Sequence, residues 1–169
     1  MIRRIAILVL IVSILLSLAG CGLKRELYEQ TKIFYVVANG TIPQDLRLTI
    51  YYLNGVIDTA VPLSIEMLKS AYNVQVISVD YENLVKHADY LKKFDPSSLK
   101  PIYRNDYVDA RLYYVFELGD SGPILEYVHS CSKTDFLNGI PIKFDHELID
   151  LISPFLPEDS TYKNYVPNL

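Results

Sequence analysis

Residues 110–131 read ARLYYVFELGDSGPILEYVHSC, two alternating apolar-rich runs on either side of Gly119-Asp120-Ser121-Gly122. Alternation with a period of two marks a strand with one buried face, and a glycine-containing turn between two such runs marks an antiparallel hairpin. The pairing therefore predicts strands over Ala110 to Leu118 and Pro123 to Cys131.

The same pattern recurs upstream. In Asp45 to Leu53, DLRLTIYYL, the residues Leu46, Leu48, Ile50 and Tyr52 share one face, and Arg47, Thr49, Tyr51 and Leu53 share the other. Asn54-Gly55 follows it and predicts a type I′ turn into a returning strand near Val56 to Val61, ended by Pro62. Lys32 to Ala38, KIFYVVA, is β-branched and aromatic and precedes Asn39-Gly40, which reads as another strand. Val74 to Val79, VQVISV, reads likewise. Asn138-Gly139 repeats the turn signal ahead of IPIKF, where Pro141 restricts that segment to a sheet edge or a short ribbon.

Helical segments fall between and after these hairpins. Ser64 is placed to cap IEMLKSAY, and Asp80 to cap a helix running to Lys93, with Tyr81, Leu84, Val85, Ala88 and Leu91 on one stripe. Phe94 to Asp106, with Pro96 and Pro101, is the longest loop expected. Asp145 is placed to cap a last helix from His146 to about Ser153, with Leu148, Ile149 and Ile152 inward, stopped by Pro154; the tail to Leu169 is expected to be irregular. These elements predict an α+β fold: a mainly antiparallel sheet of about 5–7 strands built from hairpins, with about three helices packed on one face.

The first residues are of another kind. Arg3 and Arg4 precede Ile5 to Leu18, a run of almost wholly apolar residues too short for a comfortable bilayer span. Leu18-Ala19-Gly20-Cys21 then resembles the lipobox of bacterial lipoproteins. The resemblance implies that residues 1–20 are a cleaved signal peptide, that a diacylglyceryl group attaches to the Cys21 thiol, and that the protein is lipid-anchored to the cell membrane or outer membrane, facing outside the cytoplasm. Residues 21–31, CGLKRELYEQT, then read as the lipidated cysteine and a polar tether, and residues 32–169 as a single globular domain.

Loss of the leader would leave 14 Lys/Arg against 20 Asp/Glu, a formal charge of −6. That balance argues against nucleic acid as a partner. With Cys21 lipidated, Cys131 has no cysteine left to bridge to, so stability must come from a core and not from disulfides. Fourteen Tyr and no Trp are compatible with half-buried sheet faces and with binding surfaces alike.

No residue pattern identifies a reaction. Ser130 to Lys133 matches the S-x-x-K of penicillin-binding proteins and β-lactamases, but Lys133-Thr134-Asp135 stands where Lys-Thr-Gly is needed, and Ser97 to Lys100 matches equally well. His129 and Cys131, two apart on a strand, are the minimum for a thiolate nucleophile and support the alternative of a small envelope hydrolase. His146 and Asp150 lie one helical turn apart beside Asp145 and Glu147; helix capping and dipole complementation account for these acids, so no metal site is assigned. No cofactor is implied.

The remaining candidate is a surface. Arg47 and Tyr51 from one strand, with Arg111 and Tyr113 from another and Glu117 beside them, would line the sheet face opposite the core, a patch suited to an envelope protein, a peptide or a glycan. The expected function is thus a lipid-anchored extracytoplasmic binding domain. An inhibitor or immunity-type lipoprotein, using the acidic balance against a basic target, is the other alternative.

Overall fold

A computed structural model describes residues 22–54, 59, 61–103, 107–131 and 134–163. Six strands form one antiparallel sheet: β1 (Leu46–Tyr52), β2 (Gln75–Val79), β3 (Ala110–Leu118), β4 (Pro123–Ser130), β5 (Thr134–Leu137) and β6 (Ile140–Lys143), in the order β2-β1-β3-β4-β5-β6. The hairpin of residues 110–131 is its centre, with Tyr114 opposite Tyr127 and Val115 opposite Glu126. The fold is α+β, as the element pattern predicts.

The chain enters this sheet through a helix. Residues 22–39, α1, are helical where a tether followed by a strand was expected. Local β propensity in KIFYVVA is overridden by burial at helical spacing: Leu27, Thr31, Phe34 and Ala38 all point into the core. Thr31, the one polar member, donates its hydroxyl to the Leu27 carbonyl at 2.8 Å. Phe34 meets Phe94 edge-on and lies against Phe116, with ring centroids at 5.2 and 4.6 Å.

β1 has no open edge for a returning strand. It pairs with β3 along its whole length and with β2 from Leu48 to Tyr52. The expected return strand falls mostly on residues 55–58 and 60, outside the described residues. Asn54 instead binds the chain's end: its amide donates to the Asp159 carbonyl and accepts from the Thr161 N–H at 3.0 Å. Residues 159–162 are accordingly packed, with Tyr162 buried against Tyr52.

Further helices are α2 (Ile65–Ser70), α3 (Tyr81–Lys86), α4 (Ala88–Leu91) and α5 (His146–Asp150). Ser64, Asp80 and Asp145 cap α2, α3 and α5 with their side chains, as their positions predict. One continuous helix to Lys93 was expected where α3 and α4 stand; the helix breaks at His87 and its buried stripe narrows to Leu84 and Leu91, leaving Val85 exposed.

Two cores result. The larger lies on the face of Leu48, Ile50, Tyr114 and Tyr127 and is covered by α1, α3, α4 and α5. The smaller lies on the opposite face, where Leu68 of α2 packs on Tyr113, Val115 and Val128. Among the described residues, helices therefore cover one face broadly, and only the six-residue α2 lies on the other. At the β5–β6 turn Asn138 and Gly139 have φ of 48° and 77°, the paired positive values of a type I′ turn, and β6 with Pro141 is a sheet edge.

Candidate functional site

The second face contains a cleft of about 270 Å³. Its floor is strand: Tyr113 of β3, Glu126 and Val128 of β4, and Phe136 of β5. Ile65 at the start of α2 and Val108 ahead of β3 form its walls. Strand alternation turns these residues to the same side, and the partial cover by so short a helix leaves the space unfilled.

One polar pair sits in this apolar lining. The Tyr113 hydroxyl donates to Glu126 Oε1 at 2.6 Å. Burial, and then the hydrogen bond to Glu126, push the Tyr113 hydroxyl far above its ordinary range, so it remains a protonated donor. Asn138, in the β5–β6 turn, accepts the Glu126 backbone N–H at 2.7 Å, which fixes the strand segment carrying the carboxylate. Beside the cleft Tyr51 stands opposite Tyr113 in register, ring centroids 6.0 Å apart. Lys69 of α2 places its ammonium 4.3 Å from the centre of the Tyr113 ring and 5.6 Å from that of Tyr51, a cation–π cap.

The four surface residues expected to form one patch separate into three environments. Tyr51 and Tyr113 meet as described. Arg47 is exposed opposite Glu117, four residues along β1 from Tyr51 and so about 13 Å away. Arg111 is buried at a register irregularity between Ala110 and Leu112, a β-bulge in β3. Its guanidinium reaches Asp109 at 3.0 Å and Thr59 Oγ1 at 2.8 Å, and its Nε donates to Cys131 Sγ at 3.4 Å. Arg111 is thus a clamp on the bulge and not part of an open surface.

Cys131 is exposed just past β4 with its sulfur toward Arg111. His129 turns elsewhere: its Nδ1 lies 3.1 Å from Asp135 Oδ1, and its ring packs edge-on against Phe144 and Tyr162. Alternation alone put the two on one face, but Cys131 lies beyond the regular strand, where alternation no longer governs direction. Ser130 is buried and accepts the Asp109 N–H, while Lys133 lies outside the described residues. On α5 His146 pairs with Asp150 at 3.1 Å, and Asp145 accepts the Glu147 N–H at 3.1 Å as the cap.

No protein-family model, curated protein or solved structure matches this chain. Its chemistry therefore has to be read from the geometry. The cleft offers a largely apolar lining, a carboxylate already holding one donor, and an aromatic rim under a cation. Such a lining binds a group with an apolar body and a hydrogen-bond donor at its tip. Glu126, Lys69 and Phe136 were not among the residues singled out from sequence. Counting the hairpin register outward from the Gly119–Gly122 turn would have found Glu126, because it sets that residue across from Val115 on the Tyr113 face.

Proposed function

We propose that the chain is a lipid-anchored extracytoplasmic binding domain whose second-face cleft receives an apolar, donor-bearing group of an envelope protein or peptide. The observation that carries the reading is the Tyr113–Glu126 pair within the otherwise apolar cleft, a polar handle that orients a bound group. The anchor is supported by Leu18-Ala19-Gly20-Cys21 behind a charged and apolar leader. Among the described residues no helix is long and apolar enough to cross a membrane.

Two measurements test the two halves separately. Cys21→Ala should abolish palmitate incorporation in the expressing bacterium; continued labelling overturns the anchor. A photo-crosslinking amino acid in place of Ile65, in the full chain in its envelope, should capture a discrete species that Glu126→Lys eliminates with the fold intact. Equal capture from Tyr72, an exposed position outside the cleft lining, or capture indifferent to Glu126→Lys, overturns the cleft.

A further inference from the structure

The outward side of α1 is built unlike the rest of this acidic chain. Arg25, Tyr28, Lys32, Tyr35, Val36 and Asn39 follow at helical spacing along a stripe turned away from Leu27, Thr31, Phe34 and Ala38. All six are exposed, Tyr28 by 41%, Tyr35 by 38% and Val36 by 61%. The stripe holds two cations and no acid, with Glu29 at its margin. Hydrogen bonds from Ser97 hold the nearby Asp95 carboxyl below its ordinary range, and the charge of Lys24 on α1 adds to them. A basic stripe interleaved with tyrosines and one aliphatic residue has the composition of a helix lying at a headgroup interface.

Its position in the chain gives the stripe an occupant. Helix is already present at residue 22, directly after Cys21, so no spacer lifts α1 away from an acyl chain attached there. The 18 residues of α1 span about 27 Å, so no residue of the stripe lies farther than about that along the helix from the attachment. A surface held so close binds at a high effective concentration even when its own affinity is weak.

We propose that this face of α1 lies on an anionic phospholipid bilayer, as a second contact beside the lipid on Cys21. The proposal rests on the anchored reading. The local charge of the stripe, and not the net charge of the domain, governs the contact, because screening confines the interaction to groups within about 10 Å of the headgroups. Since α1 covers one sheet face and the cleft opens on the other, this contact directs the cleft away from the membrane.

The absence of Trp provides the probe. Tyr28→Trp and Tyr35→Trp each introduce a unique fluorophore on the stripe, and Tyr72→Trp one beyond α2 on the opposite side. The full chain, purified in its membrane-bound form, is reconstituted into vesicles of equal parts phosphatidylglycerol and phosphatidylcholine, the latter brominated in its acyl chains. The first two variants should lose most of their emission with a blue shift, and the third should lose none; Arg25→Glu with Lys32→Glu should restore the emission while the chain still floats with the vesicles. Floating chains whose stripe fluorophores stay unquenched overturn the α1 contact and leave the anchor standing. Chains that do not float remove both, and a blue shift that follows protein concentration and not lipid assigns the face to a second copy of the chain, which also overturns the proposal.

Discussion

The Tyr127 hydroxyl donates to Asp135 Oδ2 at 2.5 Å inside the larger core. The other carboxylate oxygen lies 3.1 Å from His129 Nδ1 and accepts the Ser130 backbone N–H at 3.1 Å. β4 and β5 share only the register pairs Tyr127 with Leu137 and Val128 with Phe136. Asp135 lies just past that short ladder, and its side chain supplies the connections the ladder lacks.

Replacing Asp135 by Leu should destabilise the fold by about 3–5 kcal/mol, because it removes at once the carboxylate that a buried hydroxyl, an imidazole and a backbone N–H share. Tyr127→Phe removes one donor from a carboxylate that keeps the Ser130 N–H and the His129 contact, and should cost about 1.5–3 kcal/mol. Urea unfolding of the two variants beside the wild type gives both values. An Asp135→Leu variant as stable as wild type would remove the carboxylate from any structural role.

Alkali should act on this cluster and on the Tyr113–Glu126 pair of the other face. Tyr127 and Tyr114 have hydroxyls raised well above 10.0, first by burial and then by the charge of Asp135; Tyr113 is raised by burial and by Glu126. Folded values above the unfolded value mean that the native state holds more protons in alkaline solution. Their stabilisation is therefore complete below pH 10.0 and is lost as pH rises beyond it toward the folded values. Tyrosinate absorbance followed together with circular dichroism should show one component arriving only with loss of ellipticity, reduced in Tyr127→Phe. Full tyrosinate signal from a chain of native ellipticity contradicts the assignment.

Most of the sheet was legible because its strands are β-branched and aromatic runs bounded by turn residues: β1, β3 and β4 lie where Leu46 to Tyr52 and the 110–131 hairpin predict them, although β3 is buried on both faces where one buried face is expected. α1 was not, for a physical reason. Its buried stripe of Leu27, Thr31, Phe34 and Ala38 spans both the polar segment and the β-branched one, so neither segment read alone shows the helical period. The cleft was legible only through Tyr51 and Tyr113. Arg111 looked like a surface residue because alternation does not foresee a bulge, and Lys69 reaches the tyrosines from an element whose docking no local pattern specifies.

Truncations along α1 measure how far it is built into the core. Phe34→Ala removes a fully buried ring between Phe94 and Phe116 and should cost about 3–5 kcal/mol. Ile33→Ala, one residue away and 56% exposed, should change stability by less than about 0.5 kcal/mol. A strand would bury one of these neighbours and expose the other as well, so the deciding comparison is Leu27→Ala. Leu27 belongs to the polar segment 21–31, and its truncation should cost about 2–5 kcal/mol because the helix is integral to the core. A chain indifferent to Leu27→Ala would return residues 22–31 to a linker.

The β3–β4 and β5–β6 turns separate backbone strain from crowding. At Gly139, with φ of 77°, an added Cβ meets nothing within 4 Å, so Gly139→Ala should cost only the left-handed penalty, about 1–2 kcal/mol. At Gly119, with φ of 44°, the same Cβ would also run into the Asp45 carboxylate. That carboxylate ends an exposed side chain that can turn aside, so Gly119→Ala should cost only slightly more than Gly139→Ala, and the excess should vanish in an Asp45→Ala background. The coupling measured in that double-mutant cycle isolates the clash, since the φ penalty is common to both backgrounds. If the two glycine substitutions cost the same in both backgrounds, the Asp45 side chain does not hold the β3–β4 turn at close range.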